Sequence, residues 1–217
     1  MKRKRFFYLA GFLVAMFLAV ILALYPELER RWERREMEAL FLQMEREDIS
    51  VRFVFPKAVS ENALTEEDAM PEPAEKEKKA VIEGDAIGIL VIPRIEARLP
   101  VTAGVSEEQL KISEGWVMQT DPVGDPGNAV IAGHRSHTWG RHFNRLGELE
   151  EGDNIYFDPV GSKRIQFTVH EILTVEPDDP AVFANPGEGM AQLTLYTCTP
   201  METSARRLVI RALRTDE

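Results

Sequence analysis

One cysteine, four histidines and two adjacent arginines near the C-terminus hold the nucleophilic and acid–base chemistry open to this 217-residue chain. Cys198 closes an apolar run, Leu193-Thr-Leu-Tyr-Thr-Cys198. The N-terminus reads as a membrane anchor that exports the rest of the chain. A lone cysteine in an exported protein has no internal disulfide partner, so Cys198 is an inert buried thiol, an intermolecular partner or a nucleophile. A nucleophile needs help, because the thiolate is the reactive form and a free cysteine has a pKa of about 8.5. His134 follows Asn128-Ala-Val-Ile-Ala-Gly133, so it emerges at the end of an expected strand, after a glycine that permits close backbone approach. Arg206 and Arg207 open the last expected strand, beyond the turn-like Thr199-Pro-Met-Glu-Thr-Ser204. A guanidinium there can face the thiol and steady a thiolate or an oxyanion. Alternation sends the two arginines to opposite faces, and the pattern alone does not choose between them. His134, His137 and His142 suggest a zinc set only weakly, since no carboxylate or cysteine stands at a recognised ligand spacing beside them. No cofactor and no metal is expected.

The elements that must position these residues form one domain behind a long N-terminal lead. Composition is globular, 44% apolar and 29% charged. The net charge is -10, and without the basic segment 1–5 (Lys2, Arg3, Lys4, Arg5) it is 22 basic against 36 acidic residues, which excludes a nucleic-acid footprint. Phe6 to Tyr25 carries no charge over 20 residues, enough for a helix rising about 1.5 Å per residue to span a hydrocarbon core of roughly 30 Å. The preceding basic residues place the N-terminus in the cytoplasm and the remainder outside. A cleaved signal peptide is the competing reading, against which stand the length of the run and the missing A-x-A site. Residues 26–50 carry Met37, Leu40, Phe41 and Met44 at the spacing of one helical face, which predicts a juxtamembrane amphipathic helix. Residues 51–83, with Pro71-Glu-Pro73 and Glu75-Lys-Glu-Lys-Lys79, hold too few large apolar residues to order themselves and read as a flexible charged linker.

Residues 84–217 read as the catalytic domain. Short strands with turn signals between them are expected at Ile87 to Ile92, Glu96 to Val101, Gly115 to Gln119, Ala129 to Ala132, Asn154 to Phe157, Arg164 to Val175, Gln192 to Thr197 and Arg207 to Leu213. In the sixth, Ile165, Phe167, Val169, Leu173 and Val175 alternate onto one face. Ser106-Glu-Glu-Gln109 is a capping box that opens a short helix, and Trp139 to Leu146 reads as helical or a compact loop. The fold class expected is mostly β, an eight-stranded closed or nearly closed barrel with one or two short helices, preceded by a transmembrane helix. Leu99-Pro-Val-Thr-Ala-Gly104 lies within this pattern and reads as a strand and its turn.

Three blocks carry a resemblance. Gly127-Asn-Ala-Val-Ile-Ala-Gly-His-Arg135, Thr194-Leu-Tyr-Thr-Cys-Thr-Pro200 and Arg206-Arg-Leu-Val-Ile210, in that order behind one anchor, resemble the signature blocks of the sortases, membrane-anchored cysteine transpeptidases of monoderm bacteria. The likeness runs from about Asp85 to Leu213 and is most like class D. It implies Cys198 as nucleophile, His134 as general acid and base, Arg207 as the arginine that stabilises substrate or oxyanion, and Thr197 as a residue near the substrate. It further implies attack after threonine in an LPxTG-like sorting signal, a thioester on Cys198, and transfer to an amine of a peptidoglycan precursor or a pilin. The acidic stretch near Glu176, Asp178 and Asp179 and the segment Val182 to Gly189 are expected to shape substrate choice. The competing class is a membrane-tethered surface binding or scaffold module with an incidental thiol, which slow and unselective alkylation of Cys198 would favour.

Overall fold

The computed structural model describes residues 2–52, 81–135 and 141–215. Most of the expected linker, residues 53–80, lies outside the described residues, as do His137 and the first part of the Trp139 to Leu146 segment.

Eight strands close into a barrel in the order β1-β2-β3-β4-β7-β8-β6-β5, with β1 Ala86–Ile92, β2 Ala97–Ala103, β3 Glu114–Trp116, β4 Gly127–Ala132, β5 Asn154–Pro159, β6 Ile165–Val175, β7 Ala191–Thr199 and β8 Arg206–Arg214. Closure leaves each strand paired with a neighbour on both sides, so the barrel has no free edge strand. The interior is apolar, with Leu90, Ile131, Phe143, Ile155, Phe167, Leu193 and Leu195 buried in one cluster. Two of the pairings are parallel, β2 with β3 and β4 with β7. The Leu99 to Gly104 segment is β2 and its exit, buried from Leu99 to Ala103.

Two expectations change in detail. The third strand stops at Trp116, because Thr120 turns back onto the Val117 carbonyl through both its N–H (2.9 Å) and its hydroxyl (2.7 Å). In β6 the even alternation conceals a bulge, since Val169 faces Ala212 and Glu171 faces Arg211, two steps on one strand against one on the other. The extra residue reverses parity. Ile165, Phe167 and Val169 therefore pack with the barrel interior, while Leu173 and Val175 join a second cluster on the outer face with Val130, Val182, Val209 and Tyr196.

The capping box forms as expected and opens α2, Glu107–Leu110, with the Ser106 hydroxyl accepting from the Gln109 N–H and the Gln109 side chain accepting from the Ser106 N–H. The lead is one helix, here called α1, Lys2–Arg52, continuous through Pro26. Its second half lies on the barrel by the stripe read from the sequence. Met44 is buried, Met37, Leu40 and Phe41 are half-buried, and Arg98 of β2 bonds Glu45 at 3.2 Å and sits over the Phe41 ring. Taken over the described side chains, no helical stretch is long and apolar enough to cross a membrane. Of the side chains described between Phe12 and Tyr25, large apolar ones stand exposed, among them Phe12, Phe17, Ile21 and Leu22.

Candidate active site

The parallel pairing of β4 with β7 brings residues of distant sequence to one end of the barrel. Ala132 stands beside Tyr196, so the next residues, Gly133 and His134, leave the sheet beside Thr197 and Cys198. Two hydrogen bonds hold the exit closed: the Gly133 N–H donates to the Tyr196 carbonyl at 3.2 Å, and the Thr197 hydroxyl donates to the Gly133 carbonyl at 2.7 Å. Beyond them His134 and Cys198 line one open cleft of about 400 Å³, together with Glu33, Lys111, Arg135, Arg141, His142 and Ser204. Cys198 is half-buried and His134 exposed, so a substrate can reach both.

The register of β7 and β8 resolves the choice that alternation left open. Cys198 is the direct cross-strand partner of Arg207, and Thr199 that of Arg206. Opposed residues of an antiparallel pair project to the same face. Arg207 donates to the carbonyls of Ser204 and Arg206, both at 3.1 Å, and among the described residues no carboxylate pairs with it. Arg206 forms an exposed ion pair with Glu176 at 3.1 Å. Tyr196, two residues before Cys198 on the same face, has its proton held more tightly than usual, first by burial, with Arg207 opposing and Cys198 adding to the effect. Thr197, expected beside the substrate, is 2% exposed, and its hydroxyl is committed to Gly133.

His134 gives up its proton more readily than a free imidazole. Burial of part of the ring is the main cause despite its exposed rim, the neighbouring His142 adds to it, and Glu107 and Glu33 oppose it. Its backbone is pinned from the other side, where the Phe143 N–H donates to the His134 carbonyl at 3.0 Å. Sequence reading assigned no part in the site to three neighbours, Arg135, Arg141 and Glu114, and weighed His142 only as a weak zinc ligand. Arg135 donates to the Thr199 hydroxyl at 2.6 Å. Arg141 pairs with Glu33 of α1 at 2.8 Å, both largely covered. Glu114 and His142 form a buried pair at 3.0 Å, whose only sequence signal is a glutamate amid the small and apolar residues Ile112-Ser-Glu-Gly-Trp-Val117. Among the described residues no three His, Cys, Asp or Glu side chains are grouped to hold a metal ion.

The segment before β7 is fastened to the outer face of the barrel. The Asn128 amide donates to the carbonyls of Val182 (3.2 Å) and Ala184 (3.1 Å), and Gln192 donates to Ala184 at 3.3 Å. Arg211, paired with Glu171, donates to the Ala181 carbonyl. Asn128 in turn accepts from the Thr194 hydroxyl at 2.7 Å. A short 3₁₀ turn, Pro180–Phe183, capped by the Asp179 side chain, is thereby held over Val130, Val209 and Tyr196.

Comparison with known proteins agrees with this arrangement. A family profile described as "Sortase domain" matches residues 90–215. The chain is 30% identical over 129 residues to "Sortase A" of Streptococcus agalactiae, covering 57% of this chain and 51% of that protein. It is 31% identical over 117 residues to "Sortase D" of Bacillus subtilis, covering 54% and 56%. The chain thus spans about half the length of the curated relatives it matches. Among solved structures, sortase C1 from Streptococcus agalactiae superposes with a TM-score of 0.58 at 30% identity, over 64% of this chain and 72% of that one.

Proposed function

We propose, because the chain belongs to the sortase family, that it is a membrane-anchored cysteine transpeptidase in which Cys198, His134 and Arg207 carry the reaction. The observation that carries this reading is the register at one barrel end. The parallel β4–β7 pair sets His134 beside Cys198, and the antiparallel β7–β8 pair sets Arg207 opposite it. His134, neutral in the free enzyme, takes the thiol proton, and the sulfur attacks the carbonyl after threonine in an LPxTG-like signal. Arg207 faces the oxygen on which charge develops. The same His134 then returns the proton to the leaving amine, a thioester remains on Cys198, and an amine of a peptidoglycan precursor or a pilin resolves it. Class D is the subclass whose blocks this sequence most resembles.

The anchor belongs to the same proposal. The exposed apolar side chains described between Phe12 and Tyr25 suit a bilayer, and the basic residues Lys2 to Arg5 in the sequence suit the cytoplasmic side. Glu33, which lines the cleft, lies eight residues beyond Tyr25, or about 12 Å along the helix. The cleft would then open near the outer membrane surface, where an acceptor or a sorting-signal protein still tethered in the lipid can reach it. The segment 180–184 bounds the outer face of β7 and contributes to the choice of signal.

Incubating the full chain in detergent with quenched peptides varying around Leu-Pro-x-Thr-Gly/Ala and an added amine tests the reading. Cleavage after threonine, joined to the amine and absent in Cys198→Ala, is the expected result. Cleavage at full rate in Cys198→Ala would end it.

A further inference from the structure

The buried pair behind His134 has no part in the reaction just described, yet Glu114 lies against Gly133, the residue before His134, and His142 precedes Phe143, whose N–H holds the His134 carbonyl. Glu114 of β3 and His142 both sit in the protein interior, 0% and 5% exposed, with His142 Nδ1 and Glu114 Oε1 3.0 Å apart. The other carboxylate oxygen, Oε2, is buried and has no hydrogen-bond partner among the described residues. It lies against Gly133, so tightly that a Cβ on that glycine would stand 1.7 Å from it. The residue before His134 is therefore glycine because a carboxylate occupies the space its side chain would need. His142 itself adopts a left-handed backbone, φ 49°, a conformation histidine tolerates better than most side chains but still rarely visits. That backbone turn presents its ring inward, edge-on to His134 with ring centroids 6.2 Å apart at 89°. The next residue, Phe143, then donates its N–H to the His134 carbonyl.

We propose that Glu114 and His142 are a positioning pair for His134: the carboxylate holds the His142 ring in place, and His142 in turn fixes where His134 stands and how its ring is oriented. This rests on the reading of His134 as the acid–base group. A carboxylate buried this deeply is stable only if a cation or donors compensate it, and His142 is the group bonded to it. Burial pushes the Glu114 carboxyl up, while the hydrogen bond and charge of His142, and the charge of Arg141, draw it back. Charge placed on His142 in turn opposes a proton on His134. Among the described residues the other charged groups around the two rings include Glu33 on α1, Glu107 and Lys111 at α2, Arg135, and Arg141, which stands 3.5 Å from His142 Nε2 and donates to the Lys111 carbonyl. Arg141 is itself paired with Glu33, so Glu114 is left as the carboxylate that answers His142.

The test tracks the four histidine rings of the full chain in detergent by ¹³C-histidine NMR as pH is varied, with His134→Gln identifying the resonance. Three variants are compared with wild type: Glu114→Gln, His142→Gln and the double substitution, which leaves no charge to bury and keeps the fold available if one single variant fails. The His134 midpoint is expected to move to higher pH in His142→Gln and in Glu114→Gln, and by no more in the double variant than in the larger single. Peptide cleavage is expected to fall by about ten- to a hundredfold, in line with misplacing a catalytic group from behind. An unmoved midpoint in all three variants, a fall in the midpoint in Glu114→Gln, or full additivity in the double would overturn the pairing. Because the NMR midpoint is read without substrate, failure of the peptide assay in wild type would instead count against the transpeptidase reading.

Discussion

The Thr197 hydroxyl donates to the Gly133 carbonyl at 2.7 Å, which ties the residue before Cys198 to the residue before His134. Thr197→Val keeps the shape and removes this bond, taking the hydroxyl donor from the carbonyl of half-buried Gly133. The expected cost is about 1–3 kcal/mol in unfolding free energy, with a fall in kcat/KM of about tenfold or more as the two strand ends lose their relative position. Denaturant unfolding and peptide kinetics on the same preparation check it. Loss of activity with no change in stability would instead give Thr197 a direct part in binding.

The two arginines are predicted to behave differently although they are adjacent. Arg207→Ala, removing the cross-strand partner of Cys198, should lower kcat/KM by about 100- to 1,000-fold, the usual scale for one oxyanion donor. Arg206→Ala breaks an exposed pair with Glu176 and should stay within about 1 kcal/mol of wild type in stability and close to it in rate. Reversal of that order in steady-state kinetics would move the cationic role to Arg206.

Much of this arrangement is legible in the sequence, and the parts that are not share a cause. Strand positions follow from local alternation and turn residues, so all eight appear near their expected places. Cys198 and His134 are marked by position at strand ends. What alternation cannot express is register. The bulge after Val169 hides because five apolar residues at even spacing look like one face, although their parity reverses halfway along. The parallel pairing of β4 with β7, which creates the site, joins segments about sixty residues apart and leaves no local trace. Glu114 and His142 likewise lie on separate segments, and only the fold brings them together. The apolar run and the amphipathic stripe read as two segments from composition, yet they form one continuous α1.

Burial lowers the affinity of His134 for its proton, and this fixes the sign of the pH effect. If neutral His134 takes the thiol proton, the free enzyme loses competence as pH falls and His134 becomes charged. The depressed folded value delays that loss, so the acid limb of kcat/KM should lie below the pH expected of a free imidazole at about 6.5. The same shift means that stability linked to His134 is present above about 6.5 and is lost as pH falls through its folded value. A pH–rate profile with its acid limb at or above the free value would contradict this.

Asn128 holds the segment before β7 through the carbonyls of Val182 and Ala184. Asn128→Ala removes two of the bonds that hold that segment, leaving those of Gln192 and Arg211, and takes from the Thr194 hydroxyl its acceptor. The predicted outcome is a rise in KM for the sorting peptide of several-fold with kcat less affected, together with about 1–3 kcal/mol lost in stability. Unchanged KM and unchanged preference at the position after threonine would remove 180–184 from substrate selection.

The most direct test is the mass of Cys198 after brief mixing with a Leu-Pro-x-Thr-Gly peptide in the absence of added amine. The account predicts an adduct on Cys198 equal to the peptide segment ending at threonine, labile to hydroxylamine and missing in Cys198→Ala. An intact peptide with an unmodified Cys198, or hydrolysis that proceeds equally without the thiol, would contradict it.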